Sequence, residues 1–409
     1  MRRRAGPGPR VFMMDLLAIV PYYTAYLSRA LRSADVEVTV GSISYYLDAT
    51  CFRSRELRVD PGLMDVVGRF RLPRLPRRLL KLPEALVNLA ALTVRFGVRS
   101  PEIVHVQFLP MLRWRVPLDL WLLRLCRRRG SRIMLTVHDL MPHDTADRYR
   151  ELYRELYAFA DGLICHSAAV AARLRTEFGV PEKRISVIPH GPFFYDLPES
   201  RGPASEAGAG AGQNEAAVRA EFGVQATGPV VLWQGILFPY KGVDLLLAAW
   251  AAVEARVPDA SLVIAGTGSP ELLAAVQAQV AALGLMRVRM HPRFLSTEEL
   301  VALYRLAAVV VYPYRAITTS GALATGLALG KAIVASDLPV FRELLTDGET
   351  ARLVDPTDAL ALAEAVAGLL ERPAERAEME ARVRAMHFGD RSWTEIAEQT
   401  IAAYEQLLA

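Results

Sequence analysis

From Val230 to Arg256 the chain reads VVLWQGILFPYKGVDLLLAAWAAVEAR, and this stretch decides the fold. A short apolar run ends at Trp233, Gly235 frees the backbone, and Lys241 stands just before a segment of helical spacing, Asp244–Arg256. A strand, a turn and a helix in that order set a point positive charge beside a helix N-terminus, where a diphosphate can dock. The same spacing also fits a plain strand–turn–helix joint with a surface lysine, since a motif is only a hypothesis until its context is known.

The alternation extends both ways. Strand-like runs at Val11–Met14, Glu37–Val40, Ile103–Gln107, Arg132–Val137, Gly162–Cys165 and Ile185–Ile188 come before it. Others follow at Ser261–Ala265, Arg287–Met290, Val309–Tyr312 and Ala332–Ala335, with helix-like segments at Glu271–Leu283, Thr297–Leu306 and Asp358–Leu370. Buried strands separated by amphipathic helices predict an α/β fold with parallel sheets covered on both faces. The pattern breaks once, at PESRGPASEAGAGAGQNE (Pro198–Glu215), which lacks apolar periodicity. The expected division is a first α/β domain over 1–197, a flexible linker or insertion over 198–216, a second domain over 217–385, and a last helix in 386–409 able to pack on either domain. Two doubly wound, Rossmann-like domains in tandem imply ligand crevices at their strand carboxyl ends, facing across an interdomain cleft.

The 409 residues are 52% hydrophobic and 22% charged, which excludes a disordered chain. A net charge of +4 suits an anionic ligand or membrane surface and carries no nucleic-acid signature. Cys51, Cys126 and Cys165 lie far apart, which predicts a reducing, cytoplasmic setting without disulfides. Asp139, Asp144 and the strand-end residues His105, His138, His166 and His190 contain no i,i+4 histidine pair, so no metal is expected. Asp15 interrupts the apolar stretch near the start, and no run reaches about 18 apolar residues, the length needed to span a bilayer.

A second informative segment is YPYRAITTSGALATGLALGK, Tyr312–Lys331. A polar Thr-Thr-Ser-Gly stretch between a strand and a helix of small residues reads as an N-cap whose free N–H groups and dipole attract an anion. Ordinary capping of a tightly packed helix gives the same pattern. A third segment, Arg53–Lys81, includes RFRLPRLPRRLLKLP, in which arginines alternate with apolar residues. It fits either an anionic membrane surface or a solvated basic face over core leucines.

Together these pieces resemble the GT-B glycosyltransferases of family 4 over most of the chain. The matching motifs are FPYKG (238–242), LVIAGTGS (262–269), YRLAAVVVYPYR (304–315) and SGALATGLALGKAIVASDLP (320–339). TVHDLMPHD (136–144), CHSAAVAARL (165–174) and ISVIPHGPF (185–193) add to them in the first half. The resemblance implies a GT-B fold with an N-terminal acceptor-binding domain and a C-terminal nucleotide-sugar-binding domain. It implies a retaining, metal-independent transferase of the hexosyltransferase class, using a UDP- or GDP-sugar as co-substrate and no other cofactor. The acceptor would be a sugar, a lipid-linked compound or a small molecule in polysaccharide, cell-envelope or glycoconjugate synthesis. The setting would be the cytoplasm or the inner membrane face.

Residue by residue, the resemblance assigns Lys241 and His138 to catalysis. Thr319, Ser320 and Gly321 would hold the diphosphate beside Gly235, while Gly266, Gly268, Arg293, Phe294 and Leu295 would surround the base and ribose. Many relatives carry two glutamates where this chain has Ile317 and Thr325, and an arginine where it has Ile236 or Phe238. The chain is similar to a subgroup with a Ser-Gly helix start, and Thr325 becomes the expected ribose contact. Arg315 is either a second cation for the phosphates or a solvated surface residue. A catalytically weak GT-B binding or partner subunit is the alternative. An oxidoreductase is disfavoured because no strand leads into G-x-G-x-x-G, and an epimerase because the motifs resemble transferases.

Overall fold

Runs of Val, Ile, Leu and Ala with no polar alternation cannot leave a face in water, so each becomes a parallel strand buried on both sides. The structure is a computed structural model that describes residues 8–45, 48, 51–52, 55–67, 69–70, 74–112, 118–141, 146–193, 210–386 and 392–409. Arg53, Asp144 and residues 198–209 of the expected linker lie outside these.

The first half contains β1 (Arg10–Met14), α1 (Pro21–Ser33), β2 (Glu37–Gly41), α2 (Arg74–Val98), β3 (Ile103–Val106) and α3 (Leu118–Arg128). It continues with β4 (Arg132–Val137), α4 (Arg150–Phe159), β5 (Gly162–Cys165), α5 (Ala168–Phe178) and β6 (Ile185–Val187). The second half runs through α6 (Gly210–Glu221), β7 (Val230–Gln234), α7 (Val243–Arg256), β8 (Ser261–Ala265), α8 (Pro270–Ala282), β9 (Val288–His291) and α9 (Thr297–Leu306). After it come β10 (Val309–Tyr312), α10 (Gly321–Ala328), β11 (Ala332–Ser336), α11 (Pro339–Arg342), β12 (Arg352–Val354), α12 (Ala359–Glu371), α13 (Pro373–Ala385) and α14 (Trp393–Leu408).

The strands form two six-stranded sheets, ordered β2-β1-β3-β4-β5-β6 and β12-β11-β10-β7-β8-β9, with parallel pairing throughout. Both are doubly wound. The order reverses between β1 and β3 in one and between β7 and β10 in the other, which opens a crevice at the strand carboxyl ends. The expected α/β architecture of two Rossmann-like domains is the one observed. Each half has its own apolar core, with Trp233 and Trp250 fully buried in the second.

Local signals set the helix ends. Ser167 accepts a bond from the Val170 N–H to start α5, and left-handed Gly179 stops it. Ser296 and Glu299 form a reciprocal capping box on α9. Two features differ from the sequence expectation. Helix α6 begins at Gly210, inside the segment read as linker through 216, and its end buries Val218 beside Phe222. A single apolar pair in an Ala/Gly-rich stretch gives no period to detect. Strand β12 was not expected either, because three residues beginning with an arginine make no apolar run.

The chain divides into two compact units, one of Met1–Gly191 with Gly389–Ala409 and the other of Pro192–Phe388. The last helix thus belongs to unit 1. There α14 lies against α1, and the Tyr404 hydroxyl is 2.6 Å from His105 Nδ1.

Candidate functional site

In unit 2 the loops that leave β7 and β10 flank the point where strand order reverses. After β7 the chain is laid against the β8 loop by two bonds, Gly235 N–H to the Ala265 carbonyl (3.0 Å) and Leu237 N–H to the Thr267 carbonyl (2.7 Å). One short turn, Pro239–Lys241, ends at Gly242, whose φ of 65° is left-handed. A β-carbon there would stand 1.8 Å from the Pro313 carbonyl oxygen, so the β7 and β10 loops meet at a point only glycine fits. The Lys241 side chain folds back over Gly235, with Nζ 2.8 Å from where a β-carbon would be, and lies 5.6 Å from the Tyr314 ring centre.

Arg315 joins the two loops. Its guanidinium donates to both Asp244 carboxylate oxygens (2.8 and 2.6 Å) and to the Pro239 carbonyl (2.9 Å), and its N–H donates to the Tyr240 carbonyl (2.7 Å). Burial raises the Asp244 pKa, but the Arg315 bonds outweigh it and hold the carboxyl below its ordinary value. Arg315 is therefore more than a solvated surface residue. It is a brace for the turn that carries Lys241.

At α10 the Ser320 hydroxyl accepts from the Leu323 N–H (3.1 Å). The N–H groups of Gly321 and Ala322, in the first turn, have no acceptor within the helix. Two tyrosines that sequence reasoning overlooked hold this helix on the sheet, for both Tyr312 and Tyr304 donate to the Ala322 carbonyl (2.8 and 3.2 Å). Tyr314, beside Ser320, has its phenol pKa pushed up by burial and partly offset by the Ser320 hydroxyl. Tyrosines in a strand read as core, and only the fold reveals that they reach a helix start.

The other expected donor residues are distributed unevenly. Gly266 and Gly268 lie after β8, the first against the Gly235 carbonyl and the second against Leu237. Arg293 pairs with Glu299 (2.7 Å) and Glu221 (3.4 Å), and the Arg293 bond is the chief cause that takes Glu299 down to about 2. Phe294 is half-buried and Leu295 buried in the loop after β9, and Thr319 is half-buried before α10. Thr325 departs from expectation. It is only 2% exposed, and its hydroxyl donates to the Gly321 carbonyl at 2.8 Å, which commits its one proton within α10.

In unit 1, His138 follows β4, and its Nε2 lies 3.0 Å from the Gln107 amide oxygen, so it carries the proton on Nε2. Burial above all, then the neighbouring imidazoles of His166, His190 and His105, lowers its pKa well below the usual value. His138, His166 and His190 surround Tyr23, whose ring centre is 4.8, 5.2 and 5.2 Å from theirs. His105 is no part of this surface. It is fully buried between Tyr404 and Thr136 and pushed down to about 3 by that burial. Among the described residues no group of three or more His, Cys, Asp or Glu is placed to hold a metal ion.

Comparisons with known proteins follow the two halves. Residues 20–191 match the profile described as Glycosyltransferase Family 4, and residues 228–372 match Glycosyl transferases group 1. A phosphatidyl-myo-inositol mannosyltransferase of Mycolicibacterium smegmatis is 34% identical over 41% of this chain and 42% of its own length. The match to that relative thus spans less than half of it. A D-inositol 3-phosphate glycosyltransferase of Xylanimonas cellulosilytica is 27% identical over 94% of this chain and 90% of its own. Among solved structures, Anabaena HepE in complex with UDP-glucose superposes with a TM-score of 0.72 at 17% identity, covering 97% of this chain and 99% of that one.

Proposed function

We propose, for a chain that is a GT-B glycosyltransferase with a family 4 domain in unit 1 and a group 1 domain in unit 2, that it moves a sugar from a UDP- or GDP-sugar to an acceptor hydroxyl with retention. The observation that supports this is the pairing of the Lys241 turn with the loop after β10, which leads to α10, through Arg315 and Asp244. As the glycosidic bond to the diphosphate breaks, negative charge grows on the leaving oxygen. The Lys241 ammonium and the N–H groups of Gly321 and Ala322 are set to compensate that charge without reorganising. The departing phosphate then takes the acceptor proton on the same face of the sugar, without a carboxylate pair for double displacement. His138 keeps a neutral imidazole whose Nε2 proton is held by Gln107. The reaction needs no metal, since lysine and backbone dipoles supply the positive potential.

Nucleotide binding tests the reading. A nucleotide at 100 times its dissociation constant stabilises the fold by about 2.7 kcal/mol, so UDP or GDP should raise the unfolding temperature of the purified chain. No shift with either, nor with their sugars, overturns the donor assignment. Transfer by the chain alone excludes the weak partner-subunit alternative.

A lipid-linked acceptor at an anionic membrane is favoured by one further observation. Leu79, Leu82, Leu86, Val87, Val94 and Val98 of α2 are each exposed by 40% or more, on a helix that carries Arg77 and Lys81 near its start. The basic segment expected at Arg53–Lys81 thus leads into an apolar face suited to lying in a lipid interface. Among the described residues no helix is long and apolar enough to cross a membrane. Co-sedimentation with anionic vesicles well above that with neutral ones is the expected result. Equal sedimentation removes this reading.

A further inference from the structure

Among the rings packed with His138 and His190 are two buried polar atoms that the donor chemistry does not use. His166 follows β5, and its Nδ1 is 3.0 Å from the Ile188 carbonyl oxygen. A carbonyl only accepts, so the proton is on Nδ1 and Nε2 keeps its lone pair. That Nε2 is buried and has no hydrogen-bond partner. Burial lowers the His166 pKa to about 4, so the ring is neutral near pH 7. Tyr23 comes from α1 with its ring centre 5.2 Å away, and its hydroxyl is likewise buried without a partner.

An unmade bond at a buried donor or acceptor costs more than a made bond returns, so two such atoms on rings whose centres lie 5.2 Å apart point to a third group. The single atom that satisfies both accepts from the Tyr23 phenol and donates to His166 Nε2. A hydroxyl oxygen does this. A fully ionised carboxylate or phosphate has no proton to give, and an ammonium has no lone pair to offer. The position supports a ligand, because the pair lies at the carboxyl ends of the unit 1 strands, where doubly wound sheets bind. His138 and His190, both half-buried, pack against the Tyr23 and His166 rings.

We infer that Tyr23 and His166 form a hydroxyl-binding subsite in unit 1 that takes a polyol ligand. The inference deepens the reading of unit 1 as the acceptor-binding half and rests on it. The subsite holds one hydroxyl in an orientation set by two fixed atoms, so it discriminates among ring positions of a polyol. A trapped water has the same chemistry, and the experiment separates the two.

The full chain is labelled with 15N at the histidine imidazoles and titrated with myo-inositol, mannose and glycerol. The expected result is a saturable move of the His166 Nε2 resonance from its lone-pair position with at least one of these polyols. In Tyr23→Phe the affinity read this way falls roughly 5- to 10-fold, the scale of one hydrogen bond. The unfolding midpoint of Tyr23→Phe stays level or rises, because the ligand-free hydroxyl has no bond to lose. Two results overturn the inference: a His166 resonance unmoved by every polyol, or a Tyr23→Phe midpoint that falls, which assigns the hydroxyl to the fold. Nucleotide-induced stabilisation reads the donor site, so failure of this subsite leaves the glycosyltransferase reading separately testable.

Discussion

Replacing Lys241 with alanine separates charge stabilisation from scaffolding. The ammonium sits over Gly235 and 5.6 Å from the Tyr314 ring centre. Its contribution to folding includes a cation–π contact of about 0.5–1 kcal/mol, or about 1–4 °C in the melting temperature of a unit this size. Its contribution to the transition state is larger. A unit charge about 4 Å from the leaving oxygen, at an effective dielectric of about 20, interacts by about 4 kcal/mol. Loss of one such preorganised donor commonly costs about 2.7–4 kcal/mol, which is 100- to 1000-fold in turnover. The assay is nucleotide release at saturating donor, beside a thermal melt of the same preparation. Turnover within about threefold of the parent removes Lys241 from the mechanism. A large loss of turnover together with a melting drop beyond about 5 °C assigns the effect to a collapsed turn instead.

Three further outcomes follow from the same geometry. Gly242→Ala should cost about 2–5 kcal/mol, combining left-handed strain of about 1–2 with the overlap on the Pro313 carbonyl, whereas Gly284→Ala at φ 64° has nothing within 4 Å and should show the strain alone. Equal melting shifts for the two refute the steric reading. Asp244→Asn weakens the Arg315 brace, an exposed pair worth about 0.2–1 kcal/mol to stability, so the melting point should hardly change while nucleotide affinity falls several-fold; unchanged affinity refutes the brace. His105 is pushed down to about 3 in the fold, so below pH 6.5 the unfolded chain takes a proton that the native state refuses. Stability is therefore lost as pH falls through 6.5, by about 1 kcal/mol between pH 7 and 5.5 for this one group. Asp15 and Asp119, which burial raises to about 6, act in the opposite direction, so the measurement is the difference between His105→Gln and the parent in chemical denaturation at both pH values. Parallel profiles refute it.

The α/β architecture was legible because its strands are uninterrupted Val, Ile and Leu runs, as in Val309–Tyr312 and Ala332–Ser336. Where the run shortens to Arg352–Val354, the strand was invisible. Lys241 and Ser320 stood out because glycine and proline punctuate the loops around them. The brace on the Lys241 turn did not, since Arg315 and Asp244 lie 71 residues apart and each alone reads as an ordinary surface charge. Thr325 was assigned to the ribose by analogy of position, and only its bond to the Gly321 carbonyl shows where its proton goes. The meeting of Tyr23 with three histidines was out of reach for the same reason as the brace, because no local pattern connects α1 to the ends of β4, β5 and β6.

Helix α14 completes unit 1 after the whole of unit 2 has been laid down. Synthesis proceeds from the N-terminus, so the second unit has all its residues before the first one does. Until the last helix emerges, the surface of α1 that receives Trp393 stays bare and the Tyr404–His105 bond is unmade. A growing chain therefore holds a finished second unit and an unfinished first one. A stop codon near residue 391 would leave the first unit open to proteases and chaperones while the second, complete by Phe388, survives.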